Sequence, residues 1–264
     1  MAFSPRSPLL AAAALSVLAV SAQAQEAPPA SGAVAVTTLA PPDLFSTPAA
    51  ETGLPDDLWN GASPQLMRQI LPTLAAKPLS PAFSELARRV LATGARAPKG
   101  VGDDPEMGGA RALALVALGE AEGARRVLER TPGLDQNSAL AMAGAEANLI
   151  RGDDQRACAI ADALGVDRGA GYWLRLRAFC QQRAGQLDEA QLTFNLAQQQ
   201  SKDPAYARMM VALLAKTPLT GAGDLRNGVN YALSTTLALE TKTPAAAATA
   251  SPALRPVIAP APTD

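Results

Sequence analysis

The 264-residue sequence contains no histidine. That removes the commonest general base near neutral pH, the usual base partner of a nucleophilic serine or cysteine, and the commonest zinc ligand. Aromatic residues make up only 4% of the chain and charged residues 18%. So few aromatic or β-branched runs leave little to build strands from. A formal net charge of −1 gives no global field that would draw in nucleic acid or an anionic membrane. No cofactor, metal or nucleic-acid partner is therefore expected, and catalysis is not expected either.

What the sequence does have is alanine, within a hydrophobic fraction of 48%. Alanine is the strongest helix former, so the expected fold class is all-α. The length suffices for one well-filled domain plus tails.

Residues 1–24 read as a secretory signal peptide. Arg6 supplies the positive start, Leu9 to Val20 the short apolar stretch, and Ala22-Gln23-Ala24 the small-residue cleavage pattern. The alternative is an uncleaved anchor, which the shortness of the apolar stretch opposes. No cysteine stands at the cleavage point for lipid attachment. Removal of the segment deletes Arg6 and leaves 22 basic against 24 acidic residues. A periplasmic location with no membrane span in the mature chain is the expectation.

Residues 25–57 hold Pro28, Pro29, Pro41, Pro42, Pro48 and Pro55 among small residues, and every charge there is acidic. Repeated prolines block helix, and little apolar bulk remains to offset ordering entropy, so a disordered linker is expected. Residues 241–264 form a second such tail, with thirteen Ala or Pro among 24 positions. Between them, residues 58–240 carry helical patterning. Ser63-Pro64 and Ser80-Pro81 are N-cap and first-turn pairs that start helices over about 63–75 and 81–94. Leu66, Ile70 and Leu74, then Phe83, Leu86, Val90 and Leu91, supply apolar stripes. Helices are also expected over 203–215 and about 222–240.

The clearest signal is a turn that recurs every 33 residues within 105–203. Gly119 is followed five residues later by Ala124, Gly152 by Ala157, and Gly185 by Ala190. A glycine supplies the left-handed residue that ends one helix. The alanine lets the next helix approach its partner closely. A second alanine precedes each glycine by seven residues, at Ala112, Ala145 and Ala178. With Phe194, Ala197 and Pro204 completing the third unit, this pattern resembles the tetratricopeptide repeat family, whose units are helical hairpins of about 34 residues. Departures include Leu115, Asn148 and Gln181 where that family usually places an aromatic. The opening Leu58-Trp59-Asn60-Gly61 is similar to that of alanine-rich exported bacterial proteins. The resemblance implies a short stack of antiparallel hairpins with additional capping helices.

Two consequences follow from such a stack. Cys158 falls on the second helix of one hairpin and Cys180 on the first helix of the next. An antiparallel register brings them within about one turn, which makes a disulfide feasible in an exported protein. Two buried thiols are the alternative. The resemblance also implies a concave groove lined by first helices. Carried onto this chain, the groove would comprise Met142 and Glu146, with Tyr172, Arg175, Phe179 and Arg183. Arginine with aromatic residues suits a protein partner, whereas an ordinary solvated helix face is the alternative.

The expected function is a non-enzymatic periplasmic scaffold or adaptor that binds another protein in a cell-envelope assembly. The alternatives are an envelope enzyme acting on peptidoglycan through carboxylates such as Glu146, Asp188 and Glu189, or a solute-binding module with a closed apolar pocket.

Overall fold

A computed structural model describes residues 43–76 and 80–258. Every regular element among the described residues is helical. The helices are α1 (Pro64–Ala76), α2 (Pro81–Ala92), α3 (Pro105–Ala117), α4 (Ala121–Glu129), α5 (Ser138–Ile150), α6 (Asp154–Ala163), α7 (Gly171–Arg183), α8 (Leu187–Gln200) and α9 (Pro204–Ala215). They continue with α10 (Gly228–Thr236), α11 (Pro244–Thr249) and α12 (Arg255–Ile258). Local chemistry sets many of the starts. Ser80, Asp104, Asn137, Asp153, Asp203, Asn227 and Thr243 each accept a backbone N–H of the first turn through the side chain.

Three helical hairpins form the centre: α3 with α4, α5 with α6, and α7 with α8. Gly119, Gly152 and Gly185 have φ of 89°, 79° and 79°, so each closes its hairpin in the left-handed region. Ala124, Ala157 and Ala190 are fully buried, as are Ala112, Ala145 and Ala178. A larger side chain at these positions would push the paired helices apart. Successive hairpins stack in chain order, α1 on α3, α3 on α5, α6 on α7 and α8 on α9. Trp173 and Leu176 are wholly buried between the second and third hairpins, and the Trp173 indole N–H donates to Ser138 Oγ at 2.9 Å.

Three boundaries differ from those expected. First, the proline-rich segment is structured from Asp43 onward. Phe45 and Ala49 are completely buried, and Leu44 nearly so. Second, residues 241–258 are structured as well, although their composition suggested none. Ala246 and Leu254 are fully buried, and the Ser251 N–H donates to the Leu225 carbonyl at 2.9 Å. Third, the helix expected over about 222–240 spans only Gly228–Thr236, because Asn227 caps it and Leu225 lies in the preceding loop. It does not cap the end of the stack. Instead it lies against α5, α7 and α9. The expectations for residues 1–42 and 259–264, including the signal peptide, lie outside the described residues.

A single side chain explains why residues 43–49 are structured. Arg111, on α3, is fully buried without a carboxylate against it. Its Nε donates to the Leu91 carbonyl at 2.9 Å and its Nη1 to that of Leu44 at 2.9 Å. Its Nη2 donates to the carbonyls of Thr47 and Thr93, at 3.1 and 3.2 Å. The guanidinium also faces the Phe45 ring at 5.5 Å. Burial pushes its pKa down to about 10, partly opposed by the Asp43 charge, so it stays protonated at neutral pH. Four carbonyls, two in the irregular segment 43–49 and two at the end of α2, thus find donors where water is excluded.

Replacing Arg111 by Met keeps apolar volume but strips those carbonyls of their donor. Each buried unmet acceptor costs roughly 1–3 kcal/mol. The expected loss in chemical denaturation is about 3 kcal/mol or more. Residues 43–57 should become the first site of limited proteolysis, and unchanged protection there would show that Arg111 does not anchor the segment.

Candidate functional site

The six residues expected to line a groove do come from neighbouring helices, but the face they form is covered. Met142 and Glu146 lie on α5, and Tyr172, Arg175, Phe179 and Arg183 on α7. Helix α10 packs against both helices and inserts Val229, Ala232 and Leu233 into the same apolar cluster as Phe179. Phe179 is completely buried. Further along the stack, the tail residues Ala246, Ala250 and Leu254 join a cluster with Val116 and Ile150. The concave face is therefore occupied by this chain's own residues 225–254.

Glu146 belongs to that closure. Its Oε2 accepts the backbone N–H of Gly228, the first residue of α10, at 2.7 Å. The partial positive charge of a helix start favours a carboxylate there. The Tyr172 hydroxyl sits beside the carboxylate, yet neither it nor Glu146 Oε1 makes a well-aligned hydrogen bond. Burial raises the Glu146 pKa, against the smaller opposing effects of Gly228 and Tyr172. Burial and the adjoining Glu146 charge raise that of Tyr172. Asp188 and Glu189 stand exposed in the first turn of α8, on another hairpin from Glu146.

The two arginines do different things. Arg175 is mostly buried and ties α7 to the start of α9. It donates to Ser201 Oγ, approaches Asp203 at 3.9 Å and faces the Tyr206 ring at 5.8 Å. Asp203 in turn caps α9 and pairs with Arg226 at 2.8 Å, so the loop before α10 is fixed to the same point. Arg183 remains half exposed, 3.5 Å from Asp154 and over the Phe179 ring at 5.9 Å. Burial raises the Asp154 pKa, although Arg183 opposes it.

Cys158 and Cys180 form a disulfide across α6 and α7, with Cα atoms 5.5 Å apart. It is the second link between these hairpins after the Trp173 packing. A shallow cavity beside it is edged by Asp154, Asp162 and Arg183. Another cleft, of about 490 Å³, lies near Trp59 with Asp57, Arg96 and Lys99 at its walls. Among the described residues, no three His, Cys, Asp or Glu side chains converge as a metal site would require.

An apolar opening lies at the other end of the stack, where no groove was expected. Helices α1 and α2 both lean on α3, and among the described residues a trough of about 290 Å³ lies open between them. Leu66 and Ile70 from α1 are 53% and 43% exposed there. Phe83 and Leu86 from α2 are 49% and 55% exposed. Its floor is Met67, Leu71, Ala87 and Leu91, which are buried. Four large apolar side chains on one opening exceed the scattered exposure normal for a surface. The sequence did signal these residues, as two helical stripes. Periodicity marks a stripe as apolar without saying whether a further element covers it.

No protein-family model matches this chain, nor does any curated protein or solved structure.

Two outcomes follow from the covered face. Glu146 has a folded pKa above its unfolded value, so folding takes up a proton. Its contribution is fully present below the unfolded value and is lost as pH rises through the folded one. Glu146→Gln keeps an acceptor for Gly228 and carries no charge. The variant should lose part of the decline in Tm as pH rises above the ordinary carboxylate range, and a melting profile parallel to that of the parent would contradict this reading. For the disulfide, the double variant Cys158→Ala, Cys180→Ala releases a 22-residue loop. It should lose roughly 3 kcal/mol in denaturant titrations on the chain-entropy relation. An unchanged midpoint would show that the bridge does not restrain the unfolded chain.

Proposed function

We propose that this chain is a non-enzymatic scaffold or adaptor, exported to the periplasm, that binds an amphipathic helix of another envelope protein in the α1–α2 trough. The observation that carries this reading is the trough itself: an apolar lining with four large side chains half exposed at one end of a helical stack. Apolar anchors in a preformed groove are how helical partners are recognised, at i, i+3 and i+4 spacing. The likeness of the Gly-x4-Ala turns to tetratricopeptide repeats supports a protein-binding role, with the difference that the family's usual concave face is filled here by α10.

The trough itself is lined by apolar side chains, and the arginines of α1 and α2 are engaged elsewhere: Arg68 pairs with Asp104, Arg88 with Glu85 and Glu120, and Arg89 donates to the Thr52 carbonyl. The partner helix is therefore selected by its apolar anchors. Export is supported by the Ala22-Gln23-Ala24 pattern and by the disulfide, a bond that persists in oxidising compartments. No helix among the described residues is long and apolar enough to cross a membrane.

Photo-crosslinking residues placed at Leu66 and Leu86 should give a defined protein adduct in the native envelope, and the same group at Arg130 on the far side of α3 should not. Adding Phe83→Glu should abolish the adduct. Equal adducts from Arg130, or none from the trough, would overturn the assignment.

A further inference from the structure

The second hairpin departs from its neighbours at two positions. Thirty-three residues to either side of Gly144 stand Arg111 and Arg177, and at the same offsets from Asn148 stand Leu115 and Gln181. In the first hairpin the Arg111 guanidinium fills its space, and Leu115 is fully buried. In the second, Gly144 has no side chain, and a cavity of about 220 Å³ remains between α4, α5 and α6. It lies away from the covered concave face. Glu146 and Leu149 approach Gly228 of α10, while Gly144 and Asn148 fall on the other side of α5.

The cavity combines apolar walls, unmet acceptors and one free cation. Leu128, Leu134 and Ile160 supply the walls. Asn148 also lines it and is only 3% exposed. Its Nδ2 donates to the Gly144 carbonyl at 2.7 Å, and its Oδ1 has no donor among the described residues. An acceptor held that deep without a donor is costly, so the cavity calls for a ligand that brings one. The Thr131 hydroxyl gives its proton to the Val127 carbonyl at 2.9 Å and is likewise left to accept. At the rim, Arg125 is held by Glu122 and Glu129. Arg156 lines the same rim and makes no ion pair among the described residues.

We propose that this cavity binds an N-acylated aliphatic α-amino acid with a free carboxylate, the chemistry shared by a peptide's carboxy-terminal residue and a free acyl amino acid. The aliphatic side chain packs against Leu128, Leu134 and Ile160. The amide N–H donates to Asn148 Oδ1, and the carboxylate pairs with Arg156 at the rim. An amide N–H is a neutral donor and enters without the desolvation cost of an ammonium, for which the cavity offers no disengaged carboxylate. The space is smaller than that of a drug-sized ligand, so it takes one residue rather than a longer segment. It shares no lining residue with the α1–α2 trough and does not depend on that surface binding anything.

Isothermal titration of the purified chain with N-acetylvaline tests this, and saturable one-to-one binding is expected. N-acetylvalinamide lacks the carboxylate and isovalerate lacks the N–H, so each should bind at least about tenfold more weakly. A tripeptide ending in valine that binds more tightly than N-acetylvaline assigns the site to peptide ends, and one that binds no better assigns it to the free acid. A Cβ at Gly144 would come within 3.2 Å of Ile160 Cδ1 and 3.5 Å of Leu134 Cδ2, both ends of flexible side chains. Gly144→Ala should therefore keep or raise the melting temperature, since alanine favours helix, while weakening binding at least about tenfold. Arg156→Gln, at an exposed position, should abolish the preference for acid over amide. Asn148→Leu should bring N-acetylvaline down to the affinity of isovalerate, and the other two variants carry the test if it does not fold. Absence of binding at the highest soluble ligand concentration would overturn the proposal. So would an amide that binds as tightly as the acid, or full affinity in Gly144→Ala. None of these outcomes bears on crosslinking from the trough.

Discussion

The arrangement of this protein depends on a buried arginine that satisfies backbone rather than another charge. Arg111 gathers carbonyls from residues 44, 47, 91 and 93, two in the irregular segment 43–49 and two at and just beyond the last turn of α2. Irregular backbone cannot enter a dry interior unless its polar groups are met. One planar fork with five N–H groups meets four of them at once, which a lysine ammonium on its single point of charge could not. The segment 43–49 is thereby fastened against the end of α2 and the side of α3.

The other end of the chain closes the structure in a comparable way. Asp203, Asp224 and Arg226 lock the loop ahead of α10, Glu146 receives the start of that helix, and Thr249 Oγ1 accepts the N–H of Leu225. Each is a side chain serving backbone or a neighbouring loop. Together they let a C-terminal stretch with little apolar bulk cover a face that, in a plain stack of hairpins, would be the natural place for a ligand.

The repeat centre was legible in the sequence because its causes are local. Glycine at positive φ, alanine at close approaches and 3.6-residue stripes all act within one hairpin, and the register of two antiparallel helices was enough to pair Cys158 with Cys180. The segments 43–57 and 241–258 were illegible because composition measures how much apolar surface a stretch can bury. It does not register hydrogen bonds supplied by another part of the chain, as by Arg111 and Arg126 to the first segment and by Leu225 to the second. The groove set was recovered as a cluster but not as a surface: Met142, Glu146, Tyr172 and Phe179 do share one face with Arg183 at its edge, and nothing in their spacing announces that α10 lies on it. A lone acid at Glu146 on an otherwise apolar helix was the one available sign. It is the residue that meets the helix N-terminus above it.

The cover over the concave face also fixes an order of events. Glu146 waits on Gly228, 82 residues downstream, and Gly119 touches Pro256. During synthesis or threading from the N-terminus, the hairpins α3 to α8 can pair with their neighbours as each emerges. Their inner face stays wet and apolar until residues 225–258 arrive, about the last sixth of the described chain. Closure is thus a late and non-local step, made across long sequence separations that slow folding. Until that step the chain remains open, however completely its hairpins have formed.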